Sequence, residues 1–504
     1  MQAAKRVAKN TVILYIRMAI TVFISLYSTR LVLSTLGVAD FGIYNLVGGV
    51  IAMLGFLNSS MAAATQRFIS FAQGAGDIEK VKRIFNMSSL LHWFIAILVL
   101  LLFESVGYYL FHFVLNISPD RISAAKLIYK FMIVSTIFTV ISVPYEAVIT
   151  SHENMLVYAV LGIVEAVLKL AIAVFISYSS IDHLLLYGLL MAIISILLLI
   201  VRRIYCHRNY AECVLNFKIY FDKPILKNIS GFALWSLLGS STNLIINYGQ
   251  GILINVFFGT VVNSAQGISA QISGQLNVLA TTLIKALKPI IDKNEGAGNR
   301  SSMLKAALVG SKVSFFLLII IYIPFIIELP YIFKLWLKNV PDYSIIFCSL
   351  LLIRNLIEQL FIPLVAAINA EGNIKGYQKS SSFLLLFPLL VSYVLFRLNY
   401  PPYALYIVFV VYSLIASCII LYYANINCNL SIKIFLIDVV LKCLIVFSVV
   451  FIIAYIPHLL LNDGLIRLLL VGLFTIVPFF IIIFIFGFSN DEIAKIKIIF
   501  KRKL

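Results

Sequence analysis

An all-α polytopic membrane protein of about fourteen transmembrane helices is the fold class this sequence predicts. Three observations predict it. Of 504 residues 62% are hydrophobic, only 12% are charged, and apolar stretches recur from residue 12 almost to the end. A soluble globular chain is charged at roughly a quarter of its positions, so this one lacks the polar surface to cover a water-soluble fold. A span needs about 20 mainly apolar residues to cross the hydrocarbon. The spans read as 12–33, 43–64, 89–115, 127–149, 157–178, 183–201, 232–257, 261–283, 307–329, 343–367, 380–397, 403–424, 434–456 and 466–487. The first is longer than the apolar core of a signal peptide, carries Arg17 and Arg30 and lacks a clear small-residue cleavage site, so it counts as a helix.

The net charge of +18 acquires meaning from its distribution. With the N-terminus inside, the inner segments hold 26 Lys and Arg, from Lys5, Arg6 and Lys9 to Lys495, Lys497, Lys501, Arg502 and Lys503. The outer turns hold five: Arg121, Lys126, Lys334, Lys338 and Arg397. A miscounted span would invert every later loop, so this asymmetry argues for an even number of helices and two cytoplasmic termini. The basic excess is therefore topological, and no nucleic-acid partner is expected. The six cysteines form no CxxC pair or Cys/His cluster, so neither a metal site nor a disulfide framework is expected.

Two loops repeat. Gln73-Gly74-Ala75-Gly76-Asp77 returns as Glu295-Gly296-Ala297-Gly298-Asn299, displaced by 222 residues, and at the same displacement Gly37 falls on Gly259 and Arg83 on Lys305. The expected organisation is a six-helix bundle over 1–201, a basic cytoplasmic linker over 202–228, a second six-helix bundle over 229–424, and two extra helices with a basic tail over 425–504. Parallel halves of this kind build alternating-access carriers. The linker reads as a connector that can also lie on the surface, with Phe217, Tyr220 and Phe221 toward lipid and its lysines toward anionic membrane lipids. Neither Gly-Ala-Gly segment has the lysine and hydroxyl residue of a phosphate-binding loop. No enzyme and no cofactor is expected, and energy has to come from a proton or sodium gradient, the membrane potential or the cargo gradient.

Polar residues inside spans are the functional pointers, because lipid exposure is costly. Arg17 and Arg30 lie in the first span. Glu165/Lys169, Arg354/Glu358 and Asp438/Lys442 are four apart, a spacing that also forms intrahelical ion pairs that only ease burial. Lys312 and Glu328 lie near opposite ends of one span. Amides concentrate in the seventh and eighth spans, including Asn247, Gln250, Asn263, Gln271 and Gln275. Amides both donate and accept, which suits sugar hydroxyls, and they also hold membrane helices together. The candidate substrate or coupling residues are Arg17, Arg30, Glu165, Lys169, Asn247, Gln250, Gln271, Gln275, Arg354 and Glu358.

The stretches STLGVADFGIYNLVGG at 34–49 and ATQRFISFAQGAGD at 64–77, with an LGxxxFGxY pattern on Leu36, Gly37, Phe41, Gly42 and Tyr44 and with Arg67 after the second helix, carry a family resemblance. The sequence resembles the polysaccharide transporter or lipid-linked oligosaccharide (O-antigen type) flippase branch of the multidrug/oligosaccharidyl-lipid/polysaccharide exporter superfamily. The resemblance implies a bacterial inner-membrane flippase that moves undecaprenyl-diphosphate-linked oligosaccharide to the periplasmic leaflet for O-antigen, capsule or exopolysaccharide synthesis. It implies a glycan polymerase and assembly proteins as partners, and it makes Arg17 and Arg30 candidates for meeting diphosphate. A cation-coupled multidrug exporter is the alternative reading, and a polytopic glycan polymerase a more distant one.

Overall fold

The computed structural model describes every residue except 1, 53–54, 112–118, 337–339, 490–491 and 493–504. Lys338 and the tail cations Lys495, Lys497, Lys501, Arg502 and Lys503 therefore lie outside the described residues, as do the side chains of Lys5, Phe41 and Asn263.

Helices dominate the chain among these residues. α1 (Gln2–Ala52) is two helices meeting at Gly37, followed by α2 (Gly55–Gly74), α3 (Ile78–Tyr109), α4 (Ile122–Ser151), α5 (Met155–Ser177), α6 (His183–Asn209) and the single turn α7 (Phe217–Tyr220). α8 (Lys223–Gly296) is again two helices, meeting at Gly259. Then come α9 (Arg300–Trp336), α10 (Ser344–Glu371), α11 (Lys375–Arg397), α12 (Ala404–Cys428), the short α13 (Ile432–Phe435), a π-helical turn (Leu436–Leu441), α14 (Lys442–Leu460) and α15 (Leu465–Ile482).

Among the described residues, twelve helical stretches are long and apolar enough to cross a membrane, against the fourteen expected. Of the two predicted segments outside these twelve, 43–64 runs over residues 53–54, which lie outside the described residues, and 261–283 falls short. Asn263, Gln266, Gln271 and Gln275 dilute 261–283. The chain is thus an all-α, multi-pass membrane protein. Its outer surface agrees: on α3, Phe94 and Leu101 are 62% and 64% exposed while Phe85 and Phe103 are buried, an outward apolar face that only lipid accommodates.

Glycine sets the turns. Gly37 (φ 73°, ψ 171°) and Gly259 (φ 78°, ψ −174°) adopt a backbone that a Cβ disfavours, and they stand 222 residues apart. At the same displacement Gly76 (φ 73°) and Gly298 (φ 71°) end two helical hairpins. The next residue caps the following helix in each case: Asp77 accepts from the Lys80 amide and Asn299 from the Ser302 amide.

The chain divides into two compact units, residues 8–240 and residues 241–504 with the first seven residues. The boundary falls within α8, between Ser240 and Ser241. In the first unit, Phe85, Met87, Tyr145 and Val148 pack with Cys206, Cys213 and Ile229. The segment after α6 is pinned there: buried Asn86 donates to the Val214 carbonyl at 2.7 Å and accepts from the Asn216 amide at 2.9 Å. Glu212 pairs with His152 and accepts from Gln73 at 3.2 Å. Burial works to raise the Glu212 carboxyl, but those hydrogen bonds and its own backbone amide outweigh it and hold it below the ordinary carboxylate range.

In the second unit the C-terminal helices are part of the core, with Cys443, Val446, Val450, Val471 and Phe479 packed among Phe315, Leu318, Ile319 and Tyr322. A buried charge cluster joins them to α9. Glu328, fully buried, accepts from Arg467 at 2.8 Å and pairs with His458 at 3.1 Å, while Arg467 also reaches Asp463 at 2.8 Å. Lys312, near the other end of α9, pairs with Glu492 at 2.6 Å.

Candidate functional site

The first unit holds a charged cavity between α1 and α5. On α5, Tyr158, Gly162, Glu165 and Lys169 recur at intervals of three and four and share one helical face. On α1, Arg17, Thr21, Ile24, Ser28 and Val32 make a matching stripe. Gly162, Glu165 and Lys169 of the first stripe and the whole of the second, joined by Tyr44 and Tyr187, line a cavity of about 400 Å³. Lys169 donates to Glu165 at 2.7 Å. Arg17 lies across α5 with its guanidinium carbon 4.3 Å from the Tyr158 ring centroid, a cation–π contact. Gly162 makes this placement possible, since a Cβ there would come within 2.8 Å of the guanidinium carbon. The Arg17 Nε is buried without a hydrogen-bond partner, and so is the Ser28 hydroxyl. With all groups ionised, Arg17, Glu165 and Lys169 sum to +1.

Toward the turns that the basic-residue bias places outside, the Tyr44 and Tyr187 rings meet edge-on at 5.1 Å. Beyond them Arg121 donates to Asp40 at 2.9 Å and to Asp182 at 2.6 Å. Asp182 also accepts the Leu184 and Leu185 amides at the start of α6. Burial works to raise the Asp182 carboxyl, but Arg121 and those amides hold it below its ordinary value, and the two carboxylates in turn raise Arg121.

Toward the opposite end lies a second chamber of about 200 Å³. Arg17, Gly162 and Glu165 line both chambers. Thr139, Ser142, Glu146, Tyr158, Ser195, Leu198 and Arg202 complete the second. Arg202 donates to Ser142 at 2.9 Å and stands 4.0 Å from Glu146.

Another polar group sits in the second unit. Arg354 donates to Glu358 at 2.6 Å and lies over Phe409 at 4.9 Å. The adjacent Asn355 donates to Ser273 at 2.8 Å and to the Tyr322 hydroxyl at 3.3 Å, and Gln359 is fully buried with neither amide atom partnered.

The structure thus brings Arg17, Glu165 and Lys169 together and, elsewhere, Arg354 and Glu358. It does not gather the remaining candidates. Arg30 is exposed although its neighbour Thr29 lines the cavity, and Asn247, Gln271 and Gln275 are exposed on α8 while Gln250 is buried. Sequence reasoning missed Glu146, Tyr158, Gly162 and Arg202. Glu146 carried a signal, an acid inside the span read as 127–149, whereas Arg202 was absorbed into the loop charge. Among the described residues, no group of three or more His, Cys, Asp or Glu could hold a metal ion.

The MatE family profile matches residues 14–175. Against curated proteins the sequence finds no significant match. Solved structures match over most of the chain. A mutant form of MATE aligns with a TM-score of 0.75 at 12% identity, covering 84% of this chain and 96% of that one. MATE in its bent conformation aligns at 0.73 and 13%, covering 85% and 96%. An outward-facing multidrug resistance MATE family transporter of the MOP superfamily aligns at 0.69 and 14%, covering 84% and 95%.

These matches overturn the assignment to the oligosaccharide flippase branch. With it go the undecaprenyl-diphosphate-linked glycan, the polymerase and assembly partners, and the O-antigen and polysaccharide biosynthetic role. The physical reason lies in the residues that carried the resemblance. Gly37 supplies the kink of α1, Asp40 pairs with Arg121 and Gly76 ends a hairpin, so the motif encodes architecture and not cargo. The likeness to solved structures establishes the fold, which is the fold of MATE transporters.

Proposed function

We propose that this chain is a cation-coupled secondary exporter of small organic solutes. The observation that carries the reading is the cavity of the first unit, where an acid and two bases stand inside membrane-spanning helices around about 400 Å³. Such charges are costly in hydrocarbon and mark ion or substrate routes. The volume falls within the range of drug-sized ligand sites, and the fold is that of multidrug exporters.

Glu165 is the coupling group. As a carboxylate it is held by Lys169 at 2.7 Å. A proton or sodium ion taken up on Glu165 frees Lys169 and raises the charge of the three groups from +1 to +2. A solute with a cationic centre competes with both for the same carboxylate, so cation uptake expels it. A solute with an acidic group engages Arg17 instead, through the donor that has no partner.

Purified protein in proteoliposomes tests this, with ethidium as the cationic and carboxyfluorescein as the anionic probe, under an imposed proton or sodium gradient. Gradient-driven efflux of one probe, reduced at least about tenfold by Glu165→Gln, is the expected outcome, as for loss of a coupling group. Efflux of both probes no faster than from empty vesicles, or unaffected by Glu165→Gln, refutes it.

A further inference from the structure

We infer that the 200 Å³ chamber of the first unit is the inner branch of the ion route, with Glu146 as a second cation-binding carboxylate and Arg17 as the septum that separates it from Glu165. The inference deepens the exporter reading and rests on it. Three observations carry it.

First, the two chambers share a wall. Arg17, Gly162 and Glu165 line both, so the guanidinium stands between the two. A fixed positive charge in a narrow passage repels a cation until it moves aside.

Second, the inner chamber has the chemistry of a cation path. Besides the shared residues it presents the Glu146 carboxylate and the hydroxyls of Thr139, Ser142, Tyr158 and Ser195, which are oxygen ligands or proton acceptors. Arg202 balances Glu146 and is held by Ser142. Within the chamber's own lining Arg17 and Arg202 balance Glu146 and Glu165, while Lys169, bonded to Glu165, keeps one positive charge on the side of the larger cavity. Glu146 and Arg202 lie toward the ends of α4 and α6 that the basic-residue bias puts on the cytoplasmic side.

Third, the septum is held in a way that permits movement. The Arg17 Nε makes no hydrogen bond, and its guanidinium lies against the Tyr158 ring and the bare Gly162. It fits there because residue 162 has no side chain. A cation bound on Glu165 and then released inward passes from that carboxylate to the Glu146 carboxylate, and when it is a proton only O–H bonds break and form.

Gly162→Ala is the decisive perturbation, because it displaces the end of a flexible side chain without deleting a charge. Proteoliposomes loaded with pyranine, or with sodium-22 for the alternative ion, report the decay of an imposed gradient without any solute. The wild-type chain is expected to hold the gradient, Gly162→Ala to dissipate it at least about tenfold faster, and Gly162→Ala/Glu146→Gln to restore tightness. Arg17→Ala, alone and with Glu146→Gln, repeats the test should Gly162→Ala not yield a monodisperse protein. Tight gradients in both septum variants, or a leak that Glu146→Gln leaves unchanged, overturns the assignment. Failure of the exporter reading shows separately, as absence of solute efflux by the wild-type chain, and leaves the leak result standing.

Discussion

Replacing Arg467 by leucine strands a charge in the core of the second unit. Glu328 is 0% exposed and Arg467 6%, and the guanidinium donates to the carboxylate at 2.8 Å. Removing one partner of such a pair costs about 3–5 kcal/mol, because the other remains as an uncompensated buried charge. His458 still reaches the opposite carboxylate oxygen at 3.1 Å, which places the expected loss near about 3 kcal/mol. The pair with Asp463, itself 54% exposed, adds less than about 1 kcal/mol. Glu328→Leu/Arg467→Leu removes both charges, and a buried pair replaced by apolar side chains is neutral or stabilising. The double variant is therefore expected within about 1 kcal/mol of wild type. Denaturant unfolding of the purified chain in mixed micelles, followed by tryptophan fluorescence, ranks the three proteins. Arg467→Leu within about 1 kcal/mol of wild type, or a double variant no more stable than the single one, refutes the claim that this cluster clamps α14 and α15 to α9.

Other consequences follow from the turns and the pinned segment. Gly37→Ala is expected to cost about 1–3 kcal/mol through the backbone alone, since nothing lies within 4 Å of a Cβ there. Gly37→Asn is expected to cost as much, because ψ 171° lies outside the left-handed helical region that Asn tolerates, and thermal unfolding that ranks either variant equal to glycine contradicts it. Asn86→Ala leaves the Val214 carbonyl without its donor, at about 1–3 kcal/mol, and is expected to hasten tryptic cleavage at Arg208 or Lys218. Unchanged cleavage kinetics contradict the pinning. The Glu212 carboxyl titrates below its ordinary value in the folded chain, so its contribution is present above about pH 4.5 and fades as pH falls through the lowered value. Glu212→Gln is expected to flatten the acid limb of a melting-temperature profile, and a limb of unchanged slope excludes this carboxylate as its source.

Much of the site was readable one helix at a time. The Glu165/Lys169, Arg354/Glu358 and Asp438/Lys442 spacings became ion pairs of 2.7, 2.6 and 3.1 Å, because residues four apart face each other on any α-helix. The amide cluster of the seventh and eighth spans did not become one site. Its members share faces of α8, but nothing in their spacing says what those faces meet. Lys312 and Glu328, ambiguous on a single helix, found their partners in Glu492, His458 and Arg467, 130 or more residues away.

By itself the sequence determined the helical, membrane-spanning character of the chain and the glycines at its turns. Those follow from local physics: apolar length against bilayer thickness, and a positive φ that only glycine adopts at ease. Tertiary structure alone decided that Arg17 lies on Gly162 and Tyr158, that Glu146 and Arg202 form a second chamber, and that Arg467 clamps the last helices to α9. Helical periodicity says which residues share a face, whereas the choice of facing helix comes from the packing of every side chain at once.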